Sequence, residues 1–330
     1  MKKIAINGFG RIGRLVFRQM IENKNYEIVA INDLTSPAIL AHLLKYDTAH
    51  GNFNGTVEST EDSLIVNGQT IRIYAERNPK DLPWAELNID GVVESTGFFV
   101  SKEASMAHIE AGAKKVVISA PAKGDLKTVV YSVNEEVLSA DDQIISAASC
   151  TTNALAPVAN VLNKEFGLVK GFMTTVHAYT GDQGTQDKPH GDLRRARAGA
   201  MNIVPTTTGA AVAVGKVLPE LNGKLDGIAV RVPTITGSLV DLVVELEKDV
   251  TVADINKAME AAASDSMAYV VDPIVSSDII GATHGTLFDS LMTKEMSVDG
   301  KKLFKIITWY DNENSYVSQY VRTFDHFINL

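Results

Sequence analysis

The sequence predicts an α/β chain in two parts: a first half built on a parallel sheet, and a second, α+β half dominated by long strands. Three observations carry this. Short runs rich in Val and Ile recur through the first half, nearly continuous in apolar residues, as strands covered on both faces are. Segments of helical period separate them, and strand–helix–strand order argues for parallel pairing with helices on the sheet faces. Near Cys150 the pattern changes, and the strands lengthen while helices only punctuate them.

Taken in order, Lys2–Asn7 is a short apolar strand, and Arg11–Asn23 places Ile12, Leu15, Val16 and Met20 at helical period. Tyr26–Ile31 is the next strand. Asn52–Tyr74 is polar and strand-rich, a hairpin excursion with Asn67-Gly68 as its turn. Gly91–Ser95, Lys115–Ser119, Thr128–Ser132 and Gln143–Ala147 are further strands, with a helix at Lys102–Ala111 that stops at Gly112. In the second half Gly171–Tyr179, Gly227–Val232, Leu239–Leu246 and Phe304–Trp309 are strands. Leu242, Val244 and Leu246 alternate with Val243 and Glu245, so one face is expected to be wetter than the other. Helices are expected at Gly209–Leu218, stopped at Pro219, at Val252–Ala263, capped by Thr251, and at Glu313–Ile328.

At 330 residues the chain has room for two domains and a large core without disulfides or structural metal. A formal net charge of −9 disfavours nucleic-acid and anionic-membrane partners. No apolar run approaches the ~18–20 residues that span a bilayer. The N-terminal run is broken at Asn7, Gly8, Gly10 and Arg11, so no signal peptide is expected, and a cytoplasmic protein is. Cys150 is the single cysteine, which excludes an intrachain disulfide and Cys-rich zinc sites; His-Glu-x-x-His is absent, and no metal is expected.

Gly8-Phe9-Gly10-Arg11-Ile12-Gly13 reads G-x-G-x-x-G, follows a strand and opens a helix. A second strand ends at Asp33, 20 residues after Gly13. In that context the glycines allow a sharp turn and close approach of a pyrophosphate to the helix N-terminus, and Asp33 can accept hydrogen bonds from ribose hydroxyls. A carboxylate there repels the extra phosphate of NADP, so NAD is favoured. Asn32 and Asp33 are also ordinary turn residues by type.

Ser149-Cys150-Thr151-Thr152-Asn153 follows a strand and precedes an apolar helical stretch, which puts Cys150 at a helix N-terminus. That placement is expected to lower a thiol pKa. A lone cysteine is by default a small buried hydrophobe, but four hydroxyl or amide side chains around one thiol suit an oxyanion or phosphate site better than a core. His177, near the end of its strand, is the candidate base, although a single strand histidine is more often structural. Asp192–Arg197 is a basic cluster in an acidic chain, Thr206-Thr207-Thr208-Gly209 leads into a helix, and Arg231 sits in an apolar strand. Each has a bland counterpart in a solvated loop, an N-cap or an internal salt bridge; together they suggest anionic substrates.

With these residues in view, the chain resembles the phosphorylating glyceraldehyde-3-phosphate dehydrogenases over essentially its whole length. The match is carried by INGFGRIGR (Ile6–Arg14), SCTTN (Ser149–Asn153), HAYTGDQ (His177–Gln183), DLRRARAGA (Asp192–Ala200), PTTTGAA (Pro205–Ala211), RVPT (Arg231–Thr234) and WYDNE (Trp309–Glu313). The resemblance implies a Rossmann-type NAD-binding domain at 1–149, completed by the C-terminal helix 314–330. It also implies an α+β catalytic domain at 150–313 with a large mixed or antiparallel sheet. It implies the glycolytic oxidation of glyceraldehyde 3-phosphate: Cys150 attacks the aldehyde, His177 handles the proton, hydride passes to NAD, and inorganic phosphate releases 1,3-bisphosphoglycerate from the thioester.

By the same resemblance Thr180 and Arg231 hold the substrate phosphate, and Ser149, Thr151, Arg195, Thr208 and Gly209 line the site of the attacking phosphate. Arg11, Ile12, Asp33, Arg77 and Ser119 fall at cofactor contacts, with Asn312 on the nicotinamide carboxamide and Tyr316 near its ring. The family is usually a homotetramer. Erythrose 4-phosphate is the nearest alternative substrate. Ala154 replaces a frequent second cysteine, Ala213 a frequent lysine, and Asn314-Ser315 the aromatic-Gly pair that often follows WYDNE.

Overall fold

In the run KKIAIN, Ile4, Ala5 and Ile6 are fully buried, and this strand lies at the centre of the first of two sheets. The computed structural model describes residues 1–330 as two units. The first comprises Met1–Val129, Glu135–Ala148 and Tyr320–Leu330; the second comprises Val130–Asn134 and Ser149–Gln319.

The first unit runs β1 (Lys2–Asn7), α1 (Arg11–Met20), β2 (Tyr26–Asn32), α2 (Pro37–Lys45), β3 (Val57–Ser59), β4 (Ser63–Val66), β5 (Gln69–Tyr74), α3 (Trp84–Leu87), β6 (Gly91–Glu94), α4 (Lys102–Glu110), β7 (Lys115–Ile118) and β8 (Ile144–Ser146). The sheet order is β3-β4-β5-β2-β1-β6-β7-β8, with β5 through β8 all parallel in that order. The winding reverses between β1 and β6. The loops leaving those two strands therefore diverge and open a crevice at the C-terminal strand ends, where this architecture takes its ligands. Val92, Val93, Val116 and Val117 are fully buried, as expected for a sheet covered on both faces. The predicted hairpin forms as β4 and β5, with φ of 51° at Asn67 and 81° at Gly68, the paired positive values of a type I′ turn.

Two departures from the sequence reading have local causes. Helix α2 was not expected. Pro37 starts it and Leu40, Ala41 and Leu44 are buried, but Ile39 and Leu43 are exposed, so no one-sided apolar stripe announces it. Thr128–Ser132, expected as a strand, makes only a single bridge, between Thr128 and Ser146. The chain turns instead: the Val130 N–H is taken by Asn134 Oδ1 at 2.9 Å, the Val133 N–H by the Val130 carbonyl at 3.0 Å, and Ser132 has φ of 66°.

The second unit runs α5 (Cys150–Phe166), β9 (Leu168–Ala178), β10 (Val204–Thr207), α6 (Ala210–Val217), β11 (Leu225–Val232), β12 (Ser238–Leu246), α7 (Val252–Ala261), β13 (Met267–Val270), β14 (Thr286–Asp289), β15 (Lys294–Val298), β16 (Lys301–Tyr310) and the start of α8 (Asn314–Ile328). Its mixed sheet has the order β10-β11-β9-β12-β16-β14-β13, with β15 on β16. Val240, Leu242 and Val244 of β12 are buried and their alternating neighbours half-exposed, the two-faced pattern expected. Thr251 caps α7 through a capping box with Asp254. No helix is long and apolar enough to cross a membrane.

From Tyr320 onward α8 belongs to the first unit. Tyr320 Oη donates to the Val117 carbonyl at 2.7 Å, and the fully buried Phe324 lies over Gly91, where a Cβ would stand 2.7 Å from the ring. Phe324→Ala is expected to cost the first unit about 3–5 kcal/mol, read as a lowered unfolding midpoint. A loss below about 1 kcal/mol would show that this core does not depend on α8.

Candidate active site

Cys150 is the first residue of α5. Ser149 precedes it in extended conformation and caps the helix, its Oγ accepting the Thr152 N–H at 3.1 Å, while Asn153 Nδ2 donates to the Ser149 carbonyl at 3.0 Å. The polar cluster around the thiol thus builds the helix start itself. His177 sits one residue before the end of β9 and is paired in register with Arg231 on the parallel strand β11. Sequence spacing says nothing of this; the sheet brings the two side chains together.

His177 Nε2 lies 3.5 Å from Cys150 Sγ, and Nδ1 lies 2.6 Å from the Ala178 carbonyl oxygen. Arg231 Nη1 is also 3.2 Å from Nδ1, but it reaches the Ala178 carbonyl at 3.3 Å and Thr180 Oγ1 at 3.0 Å. A guanidinium only donates and a carbonyl only accepts. Nδ1 therefore carries its hydrogen and gives it to Ala178, and the two Nη1 hydrogens go to the oxygens. Nε2 is left as a bare acceptor facing the thiol.

Tyr310, which the sequence reading did not single out, supports this pair. Its hydroxyl lies 2.9 Å from Thr151 Oγ1 and 2.7 Å from Thr175 Oγ1, and its ring meets His177 edge-on at 5.9 Å. Thr175 already donates to the Leu239 carbonyl at 3.1 Å, so Tyr310 must be the donor to Thr175. Its signal in the sequence was only its place inside the WYDNE run.

Burial dominates the titrations. It pushes the Cys150 thiol up; the Arg231 charge, hydrogen bonding from Thr151 and the first-turn N–H groups oppose it. The expected lowering at the helix N-terminus is thus present but outweighed by desolvation. Burial, then the charge of Arg231, pushes His177 down to about 3, so its imidazole is neutral at physiological pH. Burial and the Cys150 charge hold the Tyr316 phenol well above its ordinary value.

Two donors converge on Asn312 Oδ1, the Gly237 N–H at 3.1 Å and Ser238 Oγ at 3.0 Å, while the Thr236 hydroxyl, 3.3 Å away, gives its hydrogen to Asp311 Oδ1 at 2.7 Å. This fixes the amide flip and leaves the Nδ2 end as donor. Asp311 accepts from the Glu313 and Asn314 N–H groups at 2.9 and 3.1 Å and so caps α8. Asn314 Nδ2 and Ser315 Oγ bond the Ala282 carbonyl at 3.1 and 3.3 Å, and neither residue has positive φ, so the aromatic-Gly pair is not needed here.

Among the anion-site candidates, Thr208 Oγ1 accepts the Ala210 N–H at 3.2 Å, beside Gly209 at the N-terminus of α6. Thr152 Oγ1 reaches the Ala210 carbonyl at 3.5 Å, placing the starts of α5 and α6 side by side. Arg195 lies in a loop folded around Asp192, which accepts the Arg194 N–H at 2.8 Å and Thr206 Oγ1 at 2.5 Å. Arg231 makes no ion pair, and its Nε is buried without a partner.

In the first unit the cofactor candidates gather at the C-terminal ends of parallel strands. A Cβ on Gly13 would stand 2.1 Å from the Gly8 carbonyl oxygen, whereas Gly10, at the N-cap of α1, has open space. Two glycines thus allow close packing and one leaves ground for a ligand beside the first-turn residues Arg11 and Ile12, as a pyrophosphate requires. Arg11's guanidinium pairs with Asp47, whose carboxyl, despite burial, is held down at about 2 by Arg11 and the His50 N–H. Asp33 Oδ2 accepts the Phe9 N–H at 2.8 Å and Oδ1 the Thr35 N–H at 2.9 Å, locking the acidic side chain to the glycine loop. The Ser119 N–H donates to the Glu94 carbonyl at 2.9 Å at the end of β7. Arg77 is exposed and follows Glu76, whose N–H and carbonyl are both bonded by the Asn32 amide, at 2.8 and 2.9 Å.

Family models describe two stretches of the chain: residues 2–102 match the NAD binding domain of glyceraldehyde 3-phosphate dehydrogenase, and residues 149–312 match its C-terminal domain. Among curated relatives, the glyceraldehyde-3-phosphate dehydrogenases of Clostridium pasteurianum and Clostridium acetobutylicum are each 57% identical over 100% of this chain and 99% of their own length. That of Streptococcus pyogenes is 57% identical over 99% of this chain and 98% of its own.

The guanidinium of Arg231 favours the Cys150 thiolate and disfavours the His177 imidazolium. Arg231→Leu should therefore raise both pKa values. The pH profile of Cys150 alkylation by iodoacetamide should move to higher pH; an unmoved profile would show that Arg231 does not act on the thiol.

Proposed function

The chain belongs to the glyceraldehyde 3-phosphate dehydrogenase family, NAD-dependent oxidoreductases of glycolysis, and we propose that in it Cys150 is the nucleophile and His177 the base. The observation that carries this is the 3.5 Å approach of Sγ to a histidine nitrogen that the neighbouring carbonyl has left without a hydrogen. The sulfur bonds to the aldehyde carbon, the thiol proton passes to His177 Nε2, and the carbonyl pair moves to oxygen. Nε2–H then donates to that oxygen, giving a thiohemiacetal. NAD, when bound, supplies the acceptor for hydride from the same carbon. Nε2 is again the base, for the hemiacetal hydroxyl, and a thioester remains on Cys150. A phosphate oxygen attacks its carbonyl carbon, the C–S bond breaks, and Nε2 returns a proton to the departing sulfur.

The first-turn N–H groups of Arg11 and Ile12, beside Gly8, Gly10 and Gly13, are assigned to the pyrophosphate of NAD and Asp33 to a ribose. Arg77 and Ser119 complete that side; Asn312 Nδ2 is assigned to the carboxamide and Tyr316 to the ring. Thr180 and Arg231 are assigned to the substrate phosphate, and Ser149, Thr151, Arg195, Thr208 and Gly209 to the attacking one. A buried Arg231 Nε without a hydrogen-bond partner supports an anion there. On this reading residues 1–149 with 314–330 are the NAD-binding domain and 150–313 the catalytic domain. We further propose a cytoplasmic homotetramer. The support for self-association is that Leu193, Met201, Ile203 and Phe172, four large apolar side chains, are left 83, 80, 70 and 71% exposed.

NAD reduction should require phosphate and proceed faster with glyceraldehyde 3-phosphate than with erythrose 4-phosphate; the opposite order would reassign the substrate. His177→Asn should lower kcat by about 10²–10⁴-fold; a normal kcat would make His177 structural. Asp33→Ala should weaken NAD binding and relax discrimination against NADP, measured as the ratio of kcat/KM for the two cofactors.

A further inference from the structure

One carboxylate reaches both groups of anion-site candidates. Thr180 Oγ1 donates to Asp182 Oδ1, and Arg195 Nη1 donates to Asp182 Oδ2 at 2.9 Å, with His190 Nε2 3.7 Å from the same oxygen. Thr180 belongs with Arg231, whose Nη1 donates to it at 3.0 Å, and Arg195 belongs to the other group. Against burial, which raises it, the hydrogen bonds from Thr180 and Arg195 and then the charges of Arg231 and Arg195 hold the Asp182 carboxyl below its ordinary range, so it is anionic under assay conditions. A hydroxyl has one hydrogen to give. While Thr180 gives it to Asp182, it cannot give it to a phosphate. The two carboxylate oxygens thus take the donors that two oxygens of an incoming anion need. The Asp182 side chain is 38% exposed, so it can turn out to water without becoming a buried, unpaired charge.

We propose that Asp182 is an intramolecular counter-anion of the two phosphate sites, displaced from Thr180 and Arg195 when phosphate binds, and that this competition sets the enzyme's affinity for phosphate. The proposal rests on the reading of Thr180, Arg195 and Arg231 as phosphate ligands. It separates Asp182 from a mere scaffold for Arg195, which would bind phosphate worse once Asp182 were changed.

The test compares the full-length enzyme with Asp182→Asn, Asp182→Ala and Arg195→Gln at constant ionic strength. Inorganic phosphate is titrated, and its apparent Kd is taken from the rise in unfolding temperature, alongside KM for phosphate. Both Asp182 variants should bind phosphate roughly 1.5- to fivefold more tightly, the scale of one partly exposed charge pair, and Arg195→Gln should bind it more weakly. Weakened binding by Arg195→Gln with unchanged or weakened binding in the Asp182 variants overturns the counter-anion while leaving the phosphate site standing. Unchanged binding in Arg195→Gln overturns the site assignment and the proposal with it.

Discussion

The hydrogen on His177 Nδ1 is held by the Ala178 carbonyl at 2.6 Å, and that contact decides what each neighbour can do. Because the hydrogen is there, Nε2 is bare and turned to Sγ. Because β9 and β11 pair in register at His177 and Arg231, the guanidinium arrives at the same carbonyl. Its charge then acts with opposite sign on the two partners, favouring a thiolate and disfavouring an imidazolium. Desolvation penalises both charged forms. In the protein without ligand, burial thus holds the pair toward thiol and neutral imidazole.

A second polar frame, in the first unit, does comparable work for the glycine loop. Trp84 Nε1–H donates to His108 Nδ1 at 3.0 Å, so the ring hydrogen is on Nε2 and goes to Glu94 Oε2 at 3.0 Å. Asn7 Nδ2 donates to the same oxygen at 2.6 Å, and Asn32 Nδ2 donates to Asn7 Oδ1 at 2.7 Å before reaching Glu76. Glu94, His108 and Asn7 are buried, yet each polar end has a partner, which is what makes burial tolerable. The Asp33 and Arg77 ends of two strands are thereby tied to the strand that launches the glycine loop.

Much of the first unit was legible because its signals are local: the glycine spacing, the Val/Ile strands, the Asn67-Gly68 turn. Helix α2 was not, since Ile39 and Leu43 break its stripe; nor was the turn at Val130–Asn134, a short piece of the second unit, since its Val-rich sequence has strand propensity and the bonds that turn it, Asn134 Oδ1 to the Val130 N–H among them, are not read from residue type. At the candidate site, residue type and position pointed to Cys150 and His177, but the sheet register that joins His177 to Arg231 is non-local. Tyr310 and Asp182 escaped for a related reason. Each matters through partners far away in sequence or across a loop, and neither stands out by type or spacing.

The first unit is written in three pieces of chain, and its last piece, Tyr320–Leu330, supplies Tyr320 and Phe324 to the core behind β6 and β7. During synthesis the sheet strands have all been made once Ser146 emerges, but the side chains that close this part of the core arrive only after residues 149–319. At ~5–20 residues per second that wait is roughly 10–35 s. Through that interval the nascent first unit lacks the Phe324 ring that lies over Gly91 in the folded protein, so the last eleven residues set when this core can close.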